Sequence, residues 1–380
     1  MIKISDAFTL QMGKTPARAN EEYWNDGSNP WVSIADLSSY NKYVTGTKET
    51  ITDLGVAKSG IKVVPANTVI MSFKLSLGKT AITTAPVYTN EAIMAFIPNG
   101  RYEVDTDYLY HLFSGRDWSK GTNRAVMGAT LNKATLSEIE ITLPPLAEQK
   151  HIADILDKVN ALINHRKEQL VELDELVKSR FIELFGDPVS NSKNLPELTL
   201  PELGEFGRGV SKHRPRNDPK LLGGEYPLIQ TGEVANSELY ITSYENTYSE
   251  LGLKQSKMWQ AGTLCITIAA NIAKTAILTF DACFPDSVVG FKANDKTSNI
   301  FIHYWFSFFQ AILEAQAPES AQKNINLKIL SELKIIVPPI EQQNEFVAFV
   351  EQTDKSKLAV QNSIAELEEL KKSLMQKYFG

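Results

Sequence analysis

Leu136-Ser-Glu-Ile-Glu-Ile-Thr-Leu-Pro-Pro-Leu-Ala-Glu-Gln149 returns 194 positions later as Leu330-Ser-Glu-Leu-Lys-Ile-Ile-Val-Pro-Pro-Ile-Glu-Gln-Gln343. The offset then holds without a gap. Glu172-Leu173 answers Glu366-Leu367, Lys178-Ser179 answers Lys372-Ser373, and Phe185-Gly186 answers Phe379-Gly380. Such a register marks a duplication, and a missed duplication miscasts the whole fold. Weaker echoes lie upstream: Thr68 with Thr263, Lys79-Thr80-Ala81-Ile82 with Lys274-Thr275-Ala276-Ile277, Phe96 with Phe291, and Asn132 with Asn326. The chain therefore reads as two copies of one unit, a divergent globular domain followed by a better-kept tail.

Each tail reads as one long helix. Proline is tolerated in a first helical turn and excluded from the interior, so Pro144-Pro145 and Pro338-Pro339 mark the starts. Neither tail has another proline, nor a glycine, before its closing Phe-Gly. In the first tail Ile152, Leu156, Val159, Ile163, Leu170, Leu173 and Val177 fall in alternating steps of four and three, with Arg166 the polar occupant of the seam. That is a coiled-coil period. The second tail keeps Phe346, Val350, Val360, Ile364, Leu367 and Leu374 on its stripe but adds Thr353 and Lys357. Rods of about 60 Å are marginal alone in water, so two in one chain are expected to pair. With a globular domain between them, antiparallel pairing is the arrangement that puts the domains at opposite ends.

The globular parts read as mixed α/β and strand-rich. Thr68–Phe73 and Thr80–Thr84 are β-branched runs around a short connector, as are Thr263–Ile268 and Thr275–Thr279. The expected fold is α+β: two mixed α/β domains separated by two long helices in an antiparallel coiled coil, with an internal pseudo-twofold repeat. The expected segments are 1–143, a first domain; 144–190, the first helix and a link through Gly186-Asp187-Pro188; 191–337, a second domain; and 338–380, the second helix.

Composition narrows the function classes. With 380 residues, the chain can bury more than one core. Two cysteines, Cys265 and Cys283, supply neither a disulfide framework nor a four-ligand zinc site, and they read as buried small apolar residues of a protein from a reducing cytoplasm. Nothing resembles a signal peptide, and no run is long and apolar enough to span a bilayer. The net charge of -6 argues mildly against a nucleic-acid binder. The acidity, however, sits mainly in the helical tails: residues 1–135 carry 14 Lys/Arg against 12 Asp/Glu and residues 191–329 carry 13 against 14.

No catalytic constellation emerges. Gly78-Lys79-Thr80 and Gly13-Lys14-Thr15 end like phosphate loops, but the glycine required five positions earlier is Phe73 or Phe8. Pro285-Asp286 lacks the acidic partner of a nuclease site, and the proline pairs follow Leu143 and Val337 rather than Asn or Asp, unlike an adenine methyltransferase motif. The histidines at 111, 151, 165, 213 and 303 have no metal spacing, so no metal site is expected.

These features resemble one family, the specificity subunits of type I restriction-modification systems. The carrying residues are Leu143–Leu156, the Lys178–Gly186 end of that helix, and their second-copy equivalents. Gly204–Pro219 with Tyr226–Val234 resembles an opening of the family's recognition domains. The likeness covers nearly the whole chain. It implies a non-catalytic, cytoplasmic subunit whose two target-recognition domains each read one half of a split double-stranded DNA target. It further implies that the helices set the gap and dock two modification subunits, which methylate adenine, and that restriction (motor-nuclease) subunits join the full complex. S-adenosylmethionine, ATP and Mg are then expected only in those partners, with no cofactor here. Because the two domains differ, two unlike half-sites are expected rather than a palindrome.

The strongest DNA-contact cluster in the sequence is Arg208, Lys212, His213, Arg214 and Arg216, suited to phosphates or guanine edges. Lys79 and Lys274 recur at equivalent connectors, with Lys14 and Arg18 near the first domain's start. Arg124 and Lys323 lie on the approach to each tail. Glu148, Gln149, Lys150, Gln342 and Gln343 follow the proline pairs, where they either cap helix ends or meet modification subunits. The competing reading is a coiled-coil adaptor that holds proteins; a self-contained methyltransferase or nuclease is disfavoured by the missing motifs.

Overall fold

A computed structural model describes residues 1–74, 76–118, 131–269, 271–316 and 325–380. The proline pairs are followed directly by two uninterrupted 40-residue helices, α1 (Leu146–Phe185) and α2 (Ile340–Phe379). Pro145 and Pro339 stand just outside the first turn, where their carbonyls accept from the Gln149 and Gln343 N–H groups at 3.1 Å each. The far end of α1 stops at Gly186, whose φ of +76° is left-handed. There the Lys193 ammonium donates to the free Glu183 and Leu184 carbonyls at 2.6 and 3.0 Å.

The chain forms two compact units that divide each long helix between them: Met1–Lys167 with Asn362–Gly380, and Glu168–Gln361. The units share one plan. In the first, strands β1 (Phe8–Met12), β2 (Val69–Ser72), β3 (Thr80–Ile82) and β4 (Ile93–Pro98) form an antiparallel sheet in the order β1-β4-β2-β3. In the second, β5 (Gly204–Arg208), β6 (Tyr240–Ile241), β7 (Leu264–Thr267), β8 (Thr275–Leu278) and β9 (Val288–Ala293) lie in the order β5-β9-β7-β8-β6. The first four of these repeat the first sheet, and β6 runs parallel to β8 at the edge, where the first head has a single parallel bridge, Tyr43 with Ile82, in the corresponding place. The sequence echoes fall at matching places. Phe96 and Phe291 are buried on β4 and β9, and Asn132 and Asn326 cap the short helices that precede each proline pair.

Each unit closes in the same way. Ile2–Lys3 pairs antiparallel with Glu140–Ile141, and Glu197–Thr199 with Lys334–Ile336, so the domain's first strand meets its last just before the helix begins.

Core packing then seats the helices. In the first unit Ile152, Ala153 and Leu156 of α1 are buried in the core of the head, with Leu374, Met375, Tyr378 and Phe379 of α2 packed on it. In the second, Val177, Phe181 and Phe185 of α1 join Phe301, Trp305, Phe346 and Val350. The two helices run antiparallel within each unit: Lys167 faces Glu368 at 3.4 Å in the first, while in the second Asp174 faces Lys357 and Arg180 faces Glu345. Along the seam Val159, Ile163 and Val360 are buried, whereas Leu170, Leu173, Ile364 and Leu367 are only half-buried, as two helices without a third layer allow.

Candidate nucleic-acid interface

Strand register brings the segments that carry the described basic candidates of each head to one end of its sheet. In the first head β1 finishes at Met12 opposite Met94, β2 finishes at Ser72 opposite Ile93, and β3 begins at Thr80 opposite Met71. Lys14, Arg18 and Lys79 therefore lie on segments leaving that end. In the second head β5 ends at Arg208, β7 ends at Thr267 opposite Val288, and β8 begins at Thr275. The segment that holds Lys212 to Arg216, and the connector that holds Lys274, leave from there.

The turns at this end are copied in hydrogen-bond detail. The Lys79 N–H donates to Ser72 Oγ at 3.1 Å and the Lys79 carbonyl accepts from Ser72 N–H at 2.9 Å. Lys274 repeats both bonds with Thr267, at 3.0 and 2.9 Å. The residue before each lysine is left-handed, Gly78 at φ +79° and Ala273 at φ +57°. That geometry accounts for the glycine of one apparent phosphate loop, since Gly78 tolerates it without strain. The other, Gly13, lies against the β4 approach, where a Cβ would overlap the Thr89 and Asn90 carbonyl oxygens. Its counterpart Gly209 meets the Phe284 and Pro285 carbonyls in the same way.

The loop after β5 is electrostatically divided. Asp286 takes Arg216 and, at 3.6 Å, Arg214, while Asp218 takes the His213 ring at 3.1 Å. The Lys220 N–H donates to the Asp218 carboxylate, which with His213 holds that carboxyl below its ordinary range. Arg214 also donates to the Ser211 and His213 carbonyls at 2.6 and 2.8 Å. Arg208 and Lys212 are exposed and stand outside these pairs.

Behind the loop, Arg216 borders a cleft of about 290 Å³ whose other walls include Asn217, Gln230, Thr231, Asn246 and Ser287. In the second head this region therefore brings Arg216, held by Asp286, together with amide groups, residue types suited to phosphate contact and base-edge reading.

In the first head Arg18 is more constrained. It pairs with Glu49 and lies 3.9 and 4.7 Å from the ring centres of Trp24 and Trp31. The Lys14 ammonium donates to the Ser59 carbonyl at 3.1 Å, and Lys79 is exposed. Lys274 opens instead on a cleft of about 330 Å³ beside the long helices, shared with Asp174, Lys178, His303 and Lys357. Arg124 and Lys323 lie outside the described residues.

Two features were not legible as sites in the sequence. Asp286 is the carboxylate that organises the arginines. A chain of Asp107, Lys42, Asp157 and His111 ties the first head to α1: Lys42 bridges Asp107 and Asp157 at 2.7 and 2.6 Å, and the buried His111 Nε2–H donates to Asp157 at 2.8 Å. Gln149 and Gln343, which their in-register recurrence after the prolines had marked for either helix-end capping or docking, are buried and bonded into their own heads.

Among the described residues, no group of three or more His, Cys, Asp or Glu is placed to hold a metal ion, and no helix is long and apolar enough to cross a membrane. Both cysteines are buried, and burial pushes both thiols up.

Comparison with known proteins gives one consistent set of relatives. The MjaIX specificity subunit of a Methanocaldococcus jannaschii type I restriction enzyme is 28% identical over 67% of this chain, and the match spans 62% of that relative's length. The EcoprrI specificity subunit of Escherichia coli is 24% identical over 98% of this chain and 90% of its own. Two solved structures share the fold over the full chain. One comes from work on complex assembly and conformational transition of the type I R-M system (TM-score 0.62, 17% identity, 96% of that chain covered). The other is the type I restriction-modification S subunit from M. genitalium (TM-score 0.56, 14% identity, 95% covered). A family model described as the type I restriction modification DNA specificity domain matches residues 1–173 and again 197–371, one match for each copy of the repeat, and the chain belongs to that family.

Proposed function

We propose that the chain is the sequence-specific DNA-binding specificity subunit of a type I restriction-modification complex. Each head reads one half of a bipartite double-stranded target, and the paired helices set the gap and dock two modification subunits. Methyl transfer and cleavage reside in partner subunits, with S-adenosylmethionine, ATP and Mg bound there.

The observation that carries this reading is a single chain with two copies of one head, built on the same strand order and matched once each by the family's DNA specificity domain, but with different residues around the corresponding sheet ends. Two unlike reading surfaces suit two unlike half-sites. Arg208 and Lys212 are the residues assigned to phosphates, and Arg216 with Asn217, Gln230 and Asn246 to base edges.

The test is methyl transfer by the purified chain alone, by the modification subunit alone, and by the two together. The expected result is transfer only with both, confined to DNA that carries a split target. Transfer by the chain alone would revive an enzyme reading. DNA binding that stays undetectable with the partner present would favour a protein-holding adaptor.

A further inference from the structure

Gln149 and Gln343 take the same place in the two copies, in the first turn of each long helix, and their side chains are 1% and 0% exposed. In the first copy the Gln149 amide donates to the Pro144 and Glu103 carbonyls at 2.8 and 2.9 Å and accepts from the Asp105 N–H at 2.8 Å. In the second, the Gln343 amide donates to the Pro338 and Lys296 carbonyls at 2.9 and 3.0 Å and accepts from the Thr297 hydroxyl at 2.9 Å. Each amide thus joins three pieces of chain: the long helix, the turn that leads into it, and the approach to the head's own helix, Thr106–Ser114 or Asn299–Gln316.

We infer that Gln149 and Gln343 are positioning residues for gap recognition, clamps that fix the angle at which each long helix leaves its reading head. The inference rests on the reading of the helices as the gap-setting element. Apolar burial of Ile152 and Leu156, or of Phe346 and Val350, holds helix to head, but that force is non-directional. Hydrogen bonds are directional, and three of them at one amide define an orientation. The clamp persists although the heads have diverged and one accepted proton comes from a backbone N–H, the other from a hydroxyl; what is kept is the geometry. The required precision is high. A helix about 60 Å long turned by about 3° at its base moves its far end about 3 Å, close to the 3.4 Å step of DNA.

The experiment uses the full chain in complex with its modification subunits, on DNA carrying both half-sites at the native gap and at gaps up to two base pairs shorter or longer. Gln149→Met and Gln343→Met keep length and burial while removing all three hydrogen bonds. The wild-type complex is expected to methylate at one gap. Each methionine variant is expected to raise methylation at neighbouring gaps about tenfold or more, with both half-sites unchanged. Should either methionine variant fail to fold, Thr297→Val, which removes one hydrogen bond from the Gln343 amide and keeps side-chain shape, carries the same comparison. Variants that remain confined to the native gap while rate or thermal stability falls would overturn the inference and leave the amides as structural glue. A wild-type complex that methylates equally at all gaps would overturn the gap-setting role of the helices, and the inference with it.

Discussion

Lys357, buried on α2, places its ammonium against the Asp174 carboxylate of α1, and this ion pair lies on the stripe where the second helix departs from an apolar seam. Asp354 lies one turn away with one carboxylate oxygen buried and unpartnered, and burial, ahead of any charge effect, raises its pKa. The polar stretch is therefore a built pairing rather than a defect, and it specifies which residues of the two rods face each other.

Removing one partner of such a pair costs more than removing the need for it. The Lys357 side chain is 8% exposed and that of Asp174 52%, so water screens part of the loss. Asp174→Ala is expected to destabilise the chain by about 1–3 kcal/mol. Lys357→Met, which fills the same space without charge, should cost less than about 1 kcal/mol. Thermal and denaturant unfolding of both single variants and the double variant checks the ordering.

Part of the chain's acid sensitivity should trace to His303 in the second head, beside a contribution of the same sign from the buried His111 in the first. Burial pulls the His303 pKa down from 6.5 to about 4, with Lys357 adding to the shift and the bond to Thr275 opposing it. The unfolded chain takes up a proton near the ordinary value while the folded chain resists. This contribution is intact above pH 6.5 and is lost as pH falls from there toward 4. Melting temperature against pH should fall through that window, and His303→Gln should flatten the fall. Equal slopes in the two proteins would refute the assignment.

The charge division of the loop after β5 yields opposite effects from neighbouring substitutions. Lys212→Ala or Arg208→Ala should weaken DNA binding by the complex and reduce the salt dependence by about one ion each. Asp286→Asn releases Arg214 and Arg216 and should strengthen binding at low salt while relaxing the preference at one half-site only. Affinities measured across a salt series with matched and mismatched half-sites separate the two outcomes.

Much of this architecture was readable because its signals are periodic or repeated. Proline pairs, a four-three apolar spacing and a kept offset specify the two rods from residue order alone, and the strand runs around Lys79 and Lys274 came out as the β2-β3 and β7-β8 hairpins. What stayed hidden depends on distant approach. Asp286 reaches Arg216 across 70 positions, and Lys42 reaches Asp157 across 115. No local pattern announces such partners. Lys274 looked equivalent to Lys79, and its backbone is; its side chain is not, because the long helices border its cleft.

Lengthening the rods tests their proposed role as spacer. Four residues of helix-forming sequence inserted after Lys167 and another four after Gln361 add about 6 Å to both helices in step. The preferred gap should grow by about two base pairs, with both half-sites unchanged. Methylation of substrates that differ only in gap reads this out, and a changed half-site with an unchanged gap would count against it.

The most direct measurement is a map of every methylated adenine in a host that carries this chain with its modification partner. The expected result is one split target whose two halves differ in sequence and are separated by a single fixed gap. Palindromic halves, or methylation scattered over unrelated sequences, would contradict it.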